Sequence, residues 1–279
     1  MAAERKRRRH QIFVYALLAV VVVGTLFPVF WVVSSSFKTE FELFSLPAHW
    51  LPQTPTLSSY AVAFASQSGA QAISNSLVIA LVGTLLALLI GFPSAYVISR
   101  YRGGRFALFV LPLIMRASPP AVIAIPLLIF YSSLGMVDTL QGLVLPYTAV
   151  TVFYVIWMIK PFVDAVPREL EDAAMIDGVP RWRIPFGVIL PIVAGGVVAA
   201  AMFVFVLDWT EFTLALMLTR MQTQTIPLQM AAFNALGGIS EGQGQAAALS
   251  TVSLAPFLII AYVFQKQLVR TFSAGAANR

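Results

Sequence analysis

Cysteine is missing from all 279 residues, which excludes a disulfide framework and any thiolate nucleophile or ligand. Histidine is nearly missing. His10 and His49 fall in segments expected on opposite sides of a membrane, so they cannot pair on a metal. Charge is scarce: 11% of the residues are Asp, Glu, Lys or Arg, against about 25% in an ordinary soluble domain. No Gly-x-x-x-x-Gly-Lys-Ser/Thr run occurs, so the chain has no loop of that kind to cradle nucleotide phosphates. No catalytic triad, metal cluster or catalytic histidine stands out near a membrane surface, which argues against a membrane enzyme.

What is present is apolar: 59% of the chain is hydrophobic, and it comes in runs. About 20 helical residues cross a hydrocarbon core. Stretches of that order are Ile12–Val33, Ile73–Ser99, Phe106–Tyr131, Thr139–Ile159, Gly187–Leu207 and Ala246–Gln265. The first follows the basic run Arg5–Arg9 and exceeds the apolar part of a cleaved signal peptide, so it is expected to be retained. The expected fold is an all-α polytopic membrane protein with six transmembrane helices. Its parts are a basic N-terminus (1–11), a transmembrane domain (12–266) with a loop at 160–187, and a tail (267–279). Ser34–Ala72 forms a polar outer loop.

Fifteen of the 18 basic residues then fall on one side, leaving only Lys38, Arg116 and Arg220. The positive-inside rule places that side, with both termini, in the cytoplasm. The same placement accounts for the net charge of +6 without nucleic acid as a partner. Prolines recur in or near the spans, at Pro28, Pro93, Pro112, Pro119, Pro120, Pro126, Pro146 and Pro256. Broken helices are tolerated where they are buried or line a cavity, which fits a transporter better than an anchor.

The longest polar interruption of the second half, apart from a loop near residue 230, is Pro167–Pro191. Pro167 suits a first helical position, and Glu169, Glu171 and Asp172 suit the positive end of a helix dipole. Leu170, Ala173, Ala174 and Asp177 share a helical edge that is small and flat, and Gly178 suits a left-handed cap. Taken alone, this is an amphipathic helix lying at a bilayer surface.

In full, Asp172-Ala173-Ala174, three residues, Gly178, nine residues and Val188-Ile189-Leu190-Pro191 resemble the Glu-Ala-Ala loop of ABC-importer permeases. Asp172 replaces Glu, and Val188 replaces Ile. The likeness continues in Ser36-Phe37-Lys38, Asn75-Ser76-Leu77, Ala95-Tyr96 with Arg100, Leu134-Gly135-Met136-Val137-Asp138-Thr139 and Trp209-Thr210-Glu211-Phe212. It is similar to the maltose-type carbohydrate importers, departing at Thr210 (Asn in the family) and in the half-matching tail Gly275–Arg279.

The resemblance implies the type I ABC importer permease fold in a bacterial or archaeal plasma membrane. It implies a passive subunit that forms half of a sugar path and couples to an ATPase through Glu171, Asp172, Ala173, Ala174, Asp177 and Gly178. The implied partners are a sister permease subunit, two copies of an ATPase subunit, an extracytoplasmic sugar-binding protein and the sugar. No cofactor is implied in this chain; ATP and Mg would sit on the ATPase. Di- or oligosaccharides, amino sugars and glycerol phosphodiesters all remain open as substrates.

Sugar sites combine aromatic faces with hydrogen-bonding groups. Tyr147, Thr151 and Tyr154 share a face of the fourth span at i, i+4 and i+7, and Asp208, Trp209 and Glu211 lie at the outer part of the fifth. In sister subunits of the family, corresponding stretches help build the sugar pocket. The tyrosines serve equally as interfacial belt residues, and the two acids as solvated residues outside the membrane. Arg116 falls near mid-membrane, where it would contact substrate or pair with carbonyls freed by nearby prolines. The competing reading is a secondary transporter or channel working without an ATPase. It would be expected to show internal repeats and ion-coupling acids, and neither is evident.

Overall fold

The computed structural model describes residues 2–65, 68–101, 120–236 and 242–265. Among these residues the structure is helical, with no strand. The helices are α1 (Ala2–Ser36), α2 (Glu40–Leu43), α3 (Ser58–Ala65), α4 (Ser68–Arg100), α5 (Pro120–Leu134), α6 (Leu140–Asp164), α7 (Glu169–Ile176), α8 (Pro185–Ile192), α9 (Ala194–Thr210), α10 (Thr213–Leu218), α11 (Ile226–Leu236) and α12 (Gln243–Gln265).

Four of these helices are long and apolar enough to cross a membrane: α4, α6, α12 and the Gln11–Ser36 part of α1. They coincide with four of the six expected spans. Of the third, Phe106–Tyr131, only the part from Pro120 lies among the described residues, in α5. The fifth, Gly187–Leu207, is not one straight rod. Its two pieces, α8 and α9, meet at 82°. Val193 leaves helical geometry with φ −94° and ψ 10°, and α8 opens with a π turn over Pro185–Ile189. Pro185 and Pro191 lack N–H groups, so the local backbone ladder is already incomplete where the chain turns. By contrast, Pro28, Pro93, Pro126, Pro146 and Pro161 lie inside continuous helices. The expectation that prolines break the spans therefore holds at neither α1, α4 nor α6.

The chain forms two compact units. The first comprises Met1–Gly69 and Met230–Leu254. In it the beginning of α12 packs on α1, α2 and α3. The loop after α1 is pinned by Lys38, whose Nζ donates to the His49 carbonyl at 2.6 Å and sits 4.3 Å from the Trp31 ring centroid. Most of the apolar side chains of Gln11–Phe30 are exposed, as befits a helix wrapped in lipid.

The second unit comprises Ala70–Gln229 and Ala255–Arg279. Its core has two parts. Near the end of α4, Phe92, Ala95 and Ile98 pack with Val155, Ile159 and Val163 of α6 and with Ile189 of α8. Near the start of α4, Ile79 packs with Leu143 and Tyr147 of α6, Ala124 of α5 and Leu214 of α10. Glycines let these helices touch. A Cβ on Gly91 would lie 2.5 Å from Val155 Cγ1, and one on Gly196 2.5 Å from the Phe162 ring. Small residues at helix crossings raise van der Waals contact where lipid removes the hydrophobic drive.

Candidate functional site

One polar end of the second unit is built where α4, α6 and α7 meet. Arg100, in the last turn of α4, pairs through Nε with Glu171 Oε1, and its Nη2 donates to the Val166 carbonyl at 2.9 Å. Tyr96, one turn earlier, donates its hydroxyl to Glu171 Oε2 at 2.7 Å. Arg168 Nη2 returns to the Arg100 carbonyl at 3.1 Å, and Ser99 donates to Asp164 at 2.6 Å. Lys160 and Asp164 form an ion pair at the end of α6. Both oxygens of Glu171 are thus engaged, and α7 is held at the ends of two long helices.

Helix α7 starts at Glu169, with Arg168 as its N-cap, so Pro167 lies just outside it rather than at its first position. Its end follows the sequence closely. Gly178 has φ 85°, Val179 N–H donates to the Ala174 carbonyl and Gly178 N–H to Met175, which is the Schellman closure that a left-handed glycine permits.

The six residues expected to couple are divided by this packing. Glu171 is turned inward and Ala174 is buried, whereas Asp172, Ala173, Asp177 and Gly178 are exposed. The exposed apolar edge accordingly runs over Leu170, Ala173 and Ile176 rather than through Ala174. Ile176 is 85% exposed and Trp182 68%.

The opposite end of the unit is tied by Asp138, between α5 and α6. Its backbone is left-handed, with φ 61°. Its carboxylate accepts from the backbone N–H groups of Arg220, Met221, Gln222 and Thr223 and from the Thr223 hydroxyl, at 2.9–3.2 Å. Burial works against the charged form, but those donors outweigh it and hold the carboxyl well below the usual carboxylate range. Asn75 Nδ2 donates to the Gln222 and Gln224 carbonyls, and Ser76 Oγ accepts from Ile226 N–H.

The residues expected along a path lie between these ends. Tyr147 is 1% exposed and donates to Glu211 Oε2 at 2.7 Å. Glu211 also accepts from Leu214 and Ala215 N–H at the start of α10. Thr151 is buried and donates to the Tyr147 carbonyl at 2.8 Å. Tyr154 packs on Phe203, and Trp209 stacks on Phe205 with its edge toward Phe257. Asp208 is buried against Gly83, and its Oδ2 has no hydrogen-bond partner among the described residues. The structure therefore gathers Tyr147, Glu211, Thr151 and Asp208 into one polar neighbourhood, while Tyr154 and Trp209 pack on other aromatic rings. Arg116 lies outside the described residues.

Residues 83–274 match the family of binding-protein-dependent transport system inner membrane components. The chain belongs to this family. The permease is 33% identical to the sulfoquinovosyl glycerol transport system permease protein of Agrobacterium fabrum, over 92% of its own length and 90% of that relative. It is 30% identical to the trehalose/maltose transport system permease protein of Thermococcus litoralis, over 98% of each. Among solved structures, a bacterial ABC transporter involved in the import of the acidic polysaccharide alginate matches its fold. That match has a TM-score of 0.74 at 20% identity and covers 94% of the permease and 97% of that chain.

The permease is thus a multi-pass inner-membrane transporter subunit rather than an enzyme, of a family that works with an ATPase and a binding protein. Two parts of the site had no role in the sequence reading. Tyr96, Arg100 and Asp138 stood within recognised motifs, but nothing local names their partners, which lie between 66 and 85 positions away.

Proposed function

We propose that this permease is one of two membrane subunits of an ATP-driven sugar importer, with α7 as the dock for a separate ATPase. Its assembly is a sister permease, two ATPase copies that hold ATP and Mg, and an extracytoplasmic binding protein. Both chain termini and α7 face the cytoplasm, and six spans cross the membrane. Charge asymmetry along the sequence supports the orientation. The sugar reading is supported by the relatives' stated cargoes.

The observation that carries the dock is the Glu171–Arg100–Tyr96 clamp behind an exposed apolar edge. A dock transmits work only if it moves as one piece with what it drives. Here α7 is fixed to the ends of α4 and α6, so a displacement of α7 is passed to two long helices at once. The ATPase would shift the inward/outward balance through contacts that differ between the two states. A carrier working without an ATPase is not favoured, because the relatives are permease components of ABC systems.

Ala173→Arg and Ile176→Asp, both at exposed positions on α7, test the dock in reconstituted vesicles. The expected result is a permease that inserts normally with its sister but neither retains the ATPase nor takes up sugar. Normal ATPase retention and normal uptake in both variants would overturn the dock.

A further inference from the structure

The first unit contains a cavity of about 280 Å³ that plays no part in the coupling described above. Its lining comes from the end of α1, the loop that follows it, and the α11 and α12 segments of the same unit. Buried Ser35, Lys38 and Glu42 and the indole of Trp31 lie inside, while Asn234 and Gln243 are exposed at its rim. Glu42 is 7% exposed. Its Oε1 accepts both the N–H and the hydroxyl of Thr54, at 2.8 and 2.7 Å. Its Oε2 is buried and has no hydrogen-bond partner among the described residues.

A buried carboxylate oxygen without a donor is costly, and a ligand donor would relieve it. The Thr54 hydroxyl hydrogen bond, opposed by burial, holds this carboxyl below its usual range, so Glu42 offers an acceptor. Lys38 offers ammonium donors beside it. A cation would meet Lys38 and an anion would meet Glu42, whereas a neutral hydroxylated ring satisfies both. Rim amides and an indole wall suit the same chemistry. The volume is at the lower edge for ligand pockets, which suits one ring rather than a whole oligosaccharide.

We propose that this cavity is a subsite for a single neutral sugar ring, lined by Trp31, Lys38 and Glu42, on the outer side of the permease. The assignment of sugar and side rests on the function proposed above. The subsite would hold one ring of the cargo as it leaves the binding protein.

The test uses the complete transporter in lipid nanodiscs without its binding protein, titrated with trehalose, maltose and diacetylchitobiose by calorimetry. Uptake in vesicles with the binding protein present is measured in parallel. Glu42→Gln keeps the Thr54 bonds but presents a donor to the cavity. Ala247→Phe fills the cavity from a lining position without altering Glu42. The expected result is binding of at least one sugar to the wild type, weakened about ten- to hundredfold in Glu42→Gln and lost in Ala247→Phe. The same variants should raise the uptake KM more than they lower kcat.

Equal binding by wild type and both variants would place the sugar elsewhere and overturn the subsite. So would uptake of a sugar that the wild-type transporter does not bind without its binding protein. Neither result touches the proposed importer. Absence of both binding and uptake for all sugars would remove the sugar reading and the subsite together.

Discussion

Removing the Glu171 carboxylate is the most direct test of the clamp behind α7. The side chains of Arg100 and Glu171 are 8% and 11% exposed, so solvent does little to screen their pairing. Glu171→Ala would leave a buried guanidinium and the Tyr96 hydroxyl without their acceptor. Truncating one partner of a buried ion pair costs about 3–5 kcal/mol. If that cost falls on the docking of α7, it corresponds to roughly two to four decades in the local opening equilibrium.

Amide hydrogen exchange over residues 169–176 of the purified transporter reads that equilibrium. Glu171→Gln should lose less, about 1.5–3 kcal/mol, because a neutral amide still accepts from one donor. Replacing Arg100 and Glu171 together by Met removes both charges and should recover most of the protection, since a buried pair is often no better than apolar residues of similar volume. Exchange in Glu171→Ala within threefold of the wild type would refute the clamp. A loss in the double variant equal to the sum of the losses in Arg100→Met and Glu171→Met would show that the two residues act independently.

Other outcomes follow from the same geometry. Asp138→Asn should loosen the 220–223 loop by about 1.5–3 kcal/mol, read by proteolysis at that loop, because an amide cannot replace a charged acceptor facing several N–H groups. In the wild type the Asp138 carboxyl is depressed below its unfolded value, so its stabilisation is present above about pH 4 and is lost only as pH falls further. Loop proteolysis should therefore be flat between about pH 5 and 8. Gly196→Ala should cost about 1–3 kcal/mol in a thermal melt, since its Cβ meets the Phe162 ring, while Gly195→Ala meets nothing within 4 Å and should be neutral or mildly stabilising. Tyr147→Phe removes the bond to Glu211. A lower melting temperature with unchanged uptake KM would mark Tyr147 as a brace, and a changed KM would mark it as a path residue.

The sequence by itself determined that the chain lives in a membrane, where α1, α4, α6 and α12 run, and that a short helix closed by Gly178 interrupts the second half. These are local properties. Hydrophobic length is summed over consecutive residues, and a left-handed cap needs only a glycine at the right place. It also marked the family, because motif order survives where single residues change. It could not say which side of α7 faces inward. That depends on Tyr96 and Arg100, which meet Glu171 across 75 and 71 positions.

The same applies to Asp138, whose donors lie on a loop more than 80 positions away. The corner at Val193 was hidden for a different reason: Gly187–Leu207 is apolar enough to read as one span, and composition carries no information about direction. Proline misled in the opposite sense, since α4 and α6 absorb Pro93, Pro146 and Pro161 without ending. Packing between helices, not the propensity of one residue, decided where the backbone turned and which acids were buried.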